Sequence, residues 1–189
     1  MLYKLVLFNY LLIVYIIFTN LIIGSENEGG SYFDCPCPHI IAHQGSSLDL
    51  PPNTHEAFQL ALDQGADIIE LDIWRSKDGT WVVIHDRNLS RITGVNKDIT
   101  KLTFEEIQLL DAGYNFSDSS GNYLYRNKGY KIPSLEQVFK QFNNEKINIE
   151  IKTVSKLGLS DLVQMIKKYQ MEKKVLVVSF SYNVIKKFR

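Results

Sequence analysis

The sequence predicts a parallel α/β fold built from repeated strand–helix units, and three observations predict it. Short Ile- and Val-rich runs, apolar at neighbouring positions, recur at 39–43 (HIIAH), 67–73 (DIIELDI), 80–86 (TWVVIHD), 147–152 and 175–180. Strands of a parallel sheet covered on both faces carry this pattern. Stretches with helical spacing lie between most of these runs, as βαβ connections require. Finally, the polar residues that interrupt the runs, His43, Glu70, Asp72, His85, Glu150 and Lys152, fall at or near their C-terminal ends. Parallel α/β folds keep their chemistry at that end.

Residues 5–23 carry no charge and are preceded only by Lys4 and the terminal amine. This run is longer than the apolar core of a cleaved signal peptide and just long enough to span a bilayer. Gly24-Ser25 offers a cleavage site, so 1–25 is read as a signal peptide or a signal anchor. Either places the chain on the secretory route, anchored or secreted, with the remainder lumenal or extracellular because the positive end precedes the segment. Asn88-Leu89-Ser90 and Asn115-Phe116-Ser117 then become candidate glycosylation sites. Residues 26–38, polar and then proline-punctuated, read as a linker. Cys35 and Cys37 within it flank Pro36, too close for an unstrained bridge, and read as free, intermolecular or lipidated thiols.

The folded domain is expected over 39–189. After the first strand, Asn53 and Glu56 form a plausible capping pair, and Ala57, Phe58, Ala61 and Leu62 give a helical stripe that stops at Gly65. The 80–86 run is expected as a third strand. It leads into an insertion at about 87–131, too long for an ordinary βα loop, with one capped turn beginning at Thr103. Ser134-Leu135-Glu136-Gln137 caps the next helix, which leads to the 147–152 strand. Leu162, Met165, Ile166 and Tyr169 mark another helix before 175–180, and a further helix begins before Arg189. With 21 basic and 21 acidic residues and no basic stripe, the chain does not look like a nucleic-acid binder.

Glu70 and Asp72, two apart on a strand, point to one side. Two carboxylates there repel unless one is protonated or a cation lies between them, and hard ions such as Mg²⁺ or Ca²⁺ prefer such oxygen ligands. Glu150 and Lys152 repeat the spacing on another Ile-rich run. Three carboxylates, two histidines and a lysine make a metal-dependent phosphoryl-transfer site the reading of these residues, the histidines being suited to general acid and base work. Lys152 reads either as a cation facing phosphate or as a snorkelling surface lysine.

Several motifs resemble those of the glycerophosphodiester phosphodiesterase family. They are His43-Gln44-Gly45, Pro52-Asn53-Thr54 with Ala57-Phe58, Gly65-Ala66-Asp67 with Ile69-Glu70-Leu71-Asp72, Lys77-Asp78-Gly79 with His85-Asp86, Leu89 and Arg91, Ile132-Pro133-Ser134-Leu135, and Ile149-Glu150-Ile151-Lys152. Thr93-Gly94-Val95-Asn96 and the N-terminal segment look most like the membrane-anchored, lysophospholipase D-type branch. The resemblance implies a TIM (β/α)8-type barrel, with Glu70, Asp72 and Glu150 as ligands of a divalent metal, Mg²⁺ or Ca²⁺. It implies His43 and His85 as acid and base, and Lys152 and residue 44 as phosphate contacts. In the family mechanism the ion binds the diester phosphate and the glycerol hydroxyl, and an alcohol is expelled to leave glycerol phosphate.

Two residues depart from the pattern: Gln44 stands where the family usually has Arg, and Pro52 where it usually has Glu. The implied activity is hydrolysis of glycerophosphodiesters to sn-glycerol 3-phosphate and an alcohol. The alternatives are a lysophospholipase D-type hydrolase, or a non-catalytic or truncated membrane-anchored relative. A barrel of this type has eight βα units, and about five are expected here. The sequence therefore predicts a C-terminally incomplete barrel with an exposed edge at 175–180, poorly stable or nearly inactive alone, a longer version being the working enzyme.

Overall fold

The structure, a computed structural model, describes residues 32–33, 38–152 and 156–188. Its five strands are β1 (Ile41–His43), β2 (Ile68–Arg75), β3 (Trp81–Val83), β4 (Lys146–Ile151) and β5 (Val175–Val178). Four of them form a parallel path in the order β1-β2-β4-β5. The apolar runs of β2 and β4 become its centre because only there are both faces covered: Ile69, Leu71, Ile73, Ile147, Ile149 and Ile151 are all fully buried. The outer strands are less enclosed, with Ile41 exposed and β5 half-buried throughout.

The 80–86 run corrects the expectation of a third parallel strand. β3 runs antiparallel to the end of β2, pairing Ile73 with Val83 and Arg75 with Trp81. The reason is length: a parallel return needs a crossover of a dozen or more residues, and only 76–80 separate the two strands. Those residues make a tight turn in which Gly79 adopts φ 84°, its N–H donates to Ser76 O, and the Ser76 hydroxyl accepts from Thr80 N. The parallel units among the described residues are therefore four.

The helices are α1 (His55–Asp63), α2 (Ser90–Thr93), α3 (Phe104–Gln108), α4 (Leu135–Gln141), α5 (Lys156–Lys168) and α6 (Tyr182–Phe188), with a 3₁₀ turn at Ile99–Lys101. The capping boxes expected at Thr103 and Ser134 both form, the latter with Gln137. At α1 the expectation is corrected by one residue: Thr54, not Asn53, accepts from Ala57 N. The α1 stripe buries Ala57, Phe58 and Ala61, and Phe58 joins Ile69, Phe139, Phe142, Ile149 and Leu162 in the main core. Burial of a side chain such as Phe58 contributes roughly 1.5–3 kcal/mol.

The insertion is more than a loop. Leu89, Ile92, Ile99, Leu102, Ile107 and Ala112 form a second core against Val82 and Ile84 of the hairpin, so the antiparallel β3 is the platform that carries it. The expected hydrophobic segment at 1–25 and both cysteines lie outside the described residues. Among the described residues no helix is long and apolar enough to cross a membrane.

Candidate metal and catalytic site

β2 sets the site. Alternation along the strand places Glu70 and Asp72 on one side, and the parallel register sets Glu70 beside His43 of β1 and Asp72 beside Glu150 of β4. Glu70 is 7% exposed and Asp72 fully buried. Oxygen atoms of Glu70, Asp72 and Glu150 all lie within 4.8 Å of one another. Lys152, just past β4, brings its Nζ to 2.8 Å from both Asp72 Oδ1 and Glu150 Oε1. The sequence-predicted trio and the lysine are thus together.

The electrostatics follow from this crowding. Burial first, and then the neighbouring Asp72 charge, push the Glu70 carboxyl up to about 8. For Lys152, burial opposes the charged form, but the hydrogen bonds and charges of Asp72 and Glu150 outweigh it and hold the ammonium above its ordinary value. One ammonium faces three carboxyls. Asp72 Oδ1 is buried, and beyond the 2.8 Å contact with Lys152 Nζ it has no hydrogen-bond partner among the described residues. A buried, under-satisfied oxygen amid converging carboxylates fits a hard divalent cation, which takes oxygen ligands. Glu70, Asp72 and Glu150 are the residues able to hold it.

Two left-handed residues brace the cluster. Gln44 (φ 60°) and Asn53 (φ 59°) are joined by Asn53 N donating to Gln44 O. The Gln44 N–H donates to Glu70 Oε2 at 3.0 Å, and its side-chain amide donates to Asp72 Oδ2 at 2.8 Å. Gln44, expected as a phosphate contact, therefore directs its amide nitrogen at a carboxylate. Asn53 donates to the same Oδ2 at 3.2 Å and accepts from Asp72 N at 3.4 Å. Reading Asn53 as a helix cap missed this role; the Pro52-Asn53-Thr54 motif contained its only signal. Gly45 is required here because a Cβ would lie 2.6 Å from Ala57 C, against the backbone of α1.

The histidines differ. His43 Nε2 lies 3.9 Å from Glu70 Oε2 with its side chain 61% exposed, at the mouth of the cluster. The hairpin brings the chain back so that Ile84 N donates to Asp72 O, which sets the next residue, His85, near the same end of β2. The His85 ring is 2.7 Å from Asp86 Oδ1, and Trp74 Nε1 holds its carbonyl. Among the described residues its ring thus pairs with Asp86 rather than with the carboxylate trio.

Residues 43–187 match the glycerophosphoryl diester phosphodiesterase family. The chain is 39% identical over 148 residues to a glycerophosphodiester phosphodiesterase of Caldanaerobacter subterraneus subsp. tengcongensis, covering 76% of this chain and 58% of that protein. It is 33% identical over 151 residues to Lysophospholipase D GDPD1 of Homo sapiens, covering 78% of this chain and 46% of that one. Among solved structures, a phosphodiesterase of Oleispira antarctica in complex with the product sn-glycerol-3-phosphate is 30% identical, with a TM-score of 0.66 over 79% of this chain and 60% of that one. Such neighbours imply a TIM-barrel-like α/β fold, of which the parallel path is part. The chain spans about half to three fifths of the length of the curated relatives it matches.

Proposed function

The chain belongs to the glycerophosphoryl diester phosphodiesterase family, and on that premise we propose that it carries the metal-binding part of a phosphoric diester hydrolase. The reaction is hydrolysis of a glycerophosphodiester to sn-glycerol 3-phosphate and an alcohol. The observation that carries this reading is the convergence of Glu70, Asp72 and Glu150 within 4.8 Å beside Lys152. A divalent cation bound there, Mg²⁺ or Ca²⁺, supplies Lewis-acid stabilisation of charge on the phosphoryl oxygens. The chain's own residues do the rest. Lys152, held charged, offers an ammonium to the phosphate. His43 and His85 exchange protons with the attacking and leaving oxygens, a role that suits imidazole near neutral pH. Glu70 and Asp72 are kept in place by Gln44 and Asn53.

The test is release of choline from glycerophosphocholine by the full chain with Mg²⁺, Ca²⁺ or chelator. Metal-dependent turnover supports the reading; metal binding without turnover would indicate a non-catalytic, binding relative. A lysophospholipase D-type activity is the second reading, favoured by the likeness to the human protein so named and by exposed Leu48 and Phe180 in the loops that follow β1 and β5. Comparing lysophosphatidylcholine with glycerophosphocholine separates the two. As part of the same proposal, residues 1–25 act as a signal peptide or membrane anchor and deliver the domain to the lumenal or extracellular side. Protease protection of a microsomal product tests that topology.

A further inference from the structure

His85, Asp86 and Arg91 form a chain of contacts that the carboxylate cluster does not explain. His85 Nδ1 lies 2.7 Å from Asp86 Oδ1, and Arg91 Nε donates to the other carboxylate oxygen, Asp86 Oδ2. Arg91 is carried by α2, the first helix of the insertion, and α2 is held by its buried face and by hydrogen bonds. Ile92 and Thr93 are buried, Gly94 closes the turn at φ 75°, Thr93 Oγ1 donates to Leu89 O, and Asn115 Nδ2 donates to Ser90 O. As a stability device the array has little to offer, since the side chains are 42%, 26% and 55% exposed in order and ion pairs at such sites contribute little. Its content is directional. An ionised carboxylate only accepts, so the imidazole nitrogen facing it must carry the hydrogen.

We propose that Asp86, backed by Arg91, is a positioning residue that holds His85 in the Nδ1–H tautomer and leaves Nε2 as its basic nitrogen. Arg91 completes the device. With its second oxygen bound to a guanidinium, Asp86 stays ionised and orients His85 without taking its proton. Although burial raises the Asp86 carboxyl, hydrogen bonds from Arg91 and His85 outweigh it and keep it below the ordinary carboxylate range. The Trp74 Nε1 bond of 2.9 Å to His85 O fixes the backbone from the other side. The insertion is thereby coupled to proton transfer through Arg91. This rests on the reading of His85 as acid or base, so the test needs a readout independent of turnover.

That readout is the ¹⁵N spectrum of the histidine-labelled full chain, taken at a pH where the imidazoles are neutral. The wild type should show His85 as Nδ1–H, and Asp86→Ala should convert it to a mixture or to Nε2–H. An Nε2–H wild type, or a tautomer that Asp86→Ala leaves unchanged, overturns the proposal. With glycerophosphocholine as substrate, isosteric Asp86→Asn should lower kcat by at least ~10²-fold, the low end for a general acid or base, with KM nearly unchanged. Arg91→Met should lower kcat less and leave the tautomer in place. If the wild type shows no turnover while the tautomer responds as expected, the functional reading fails and the positioning role stands. Equal losses in kcat and thermal stability, with the tautomer unmoved, would show a merely structural contact.

Discussion

Metal binding should release a proton from Glu70, and the structure sets the window. Buried beside Asp72, the Glu70 carboxyl is raised from 4.5 to about 8, so below pH 8 the metal-free protein holds a proton that a ligating carboxylate must lose. A raised folded-state pKa contributes stability that is full below 4.5 and is lost as pH rises through 8. At about 1.4 kcal/mol per pH unit this contribution is at most on the order of 5 kcal/mol. Apparent affinity for Ca²⁺ or Mg²⁺ should then fall close to tenfold for each unit below pH 8, or roughly 100-fold at pH 6. The thermal stabilisation given by metal should grow over the same window. Isothermal titration calorimetry at pH 6.5, in two buffers of different ionisation enthalpy, measures the protons directly, and close to one per ion is expected. His43 Nε2 lies 3.9 Å from Glu70 Oε2, so the experiment is repeated with His43→Asn, where release should persist. Buffer-independent enthalpies, or affinity that is flat from pH 6 to 8, would refute the argument.

Asp72→Asn should weaken metal binding by more than the roughly 10–100-fold typical of an outer-sphere partner, far more than it weakens folding; calorimetry and thermal scans of the same samples check both. Gln44→Ala frees Asp72 Oδ2 from its 2.8 Å bond and should cost metal affinity within that 10–100-fold range, read by the same titration. His43→Ala and His85→Ala should each lower glycerophosphocholine turnover by at least ~10²-fold without loss of bound metal, measured by steady-state kinetics and metal analysis. Gly45→Ala places a methyl against the α1 backbone at a φ of 77° and should destabilise the fold by more than about 1 kcal/mol, seen as a lower urea midpoint.

The sequence by itself determined the central strands and what they carry. Ile-rich runs broken by Glu70, Asp72, Glu150 and Lys152 have only one economical arrangement, in which alternation sends the charges to one side and the aliphatic residues to the other. Capping at Thr103 and Ser134 was equally legible, because a capping box needs only residues three apart. Tertiary structure decided what depends on partners distant in sequence. The 80–86 run has the composition of a parallel strand, yet the short turn through Gly79 folds it back and gives the insertion a surface to pack on. Asn53 looks like a helix cap until the left-handed turn and β2 bring Asp72 to it, and the bond of the Gln44 amide to the same carboxylate is likewise set only by the fold. Local sequence encodes periodicity and caps. Which side chain satisfies a buried carboxylate is decided only when strands far apart in the chain are set side by side, because hydrogen bonding reaches about 3 Å in space and takes no account of separation along the chain.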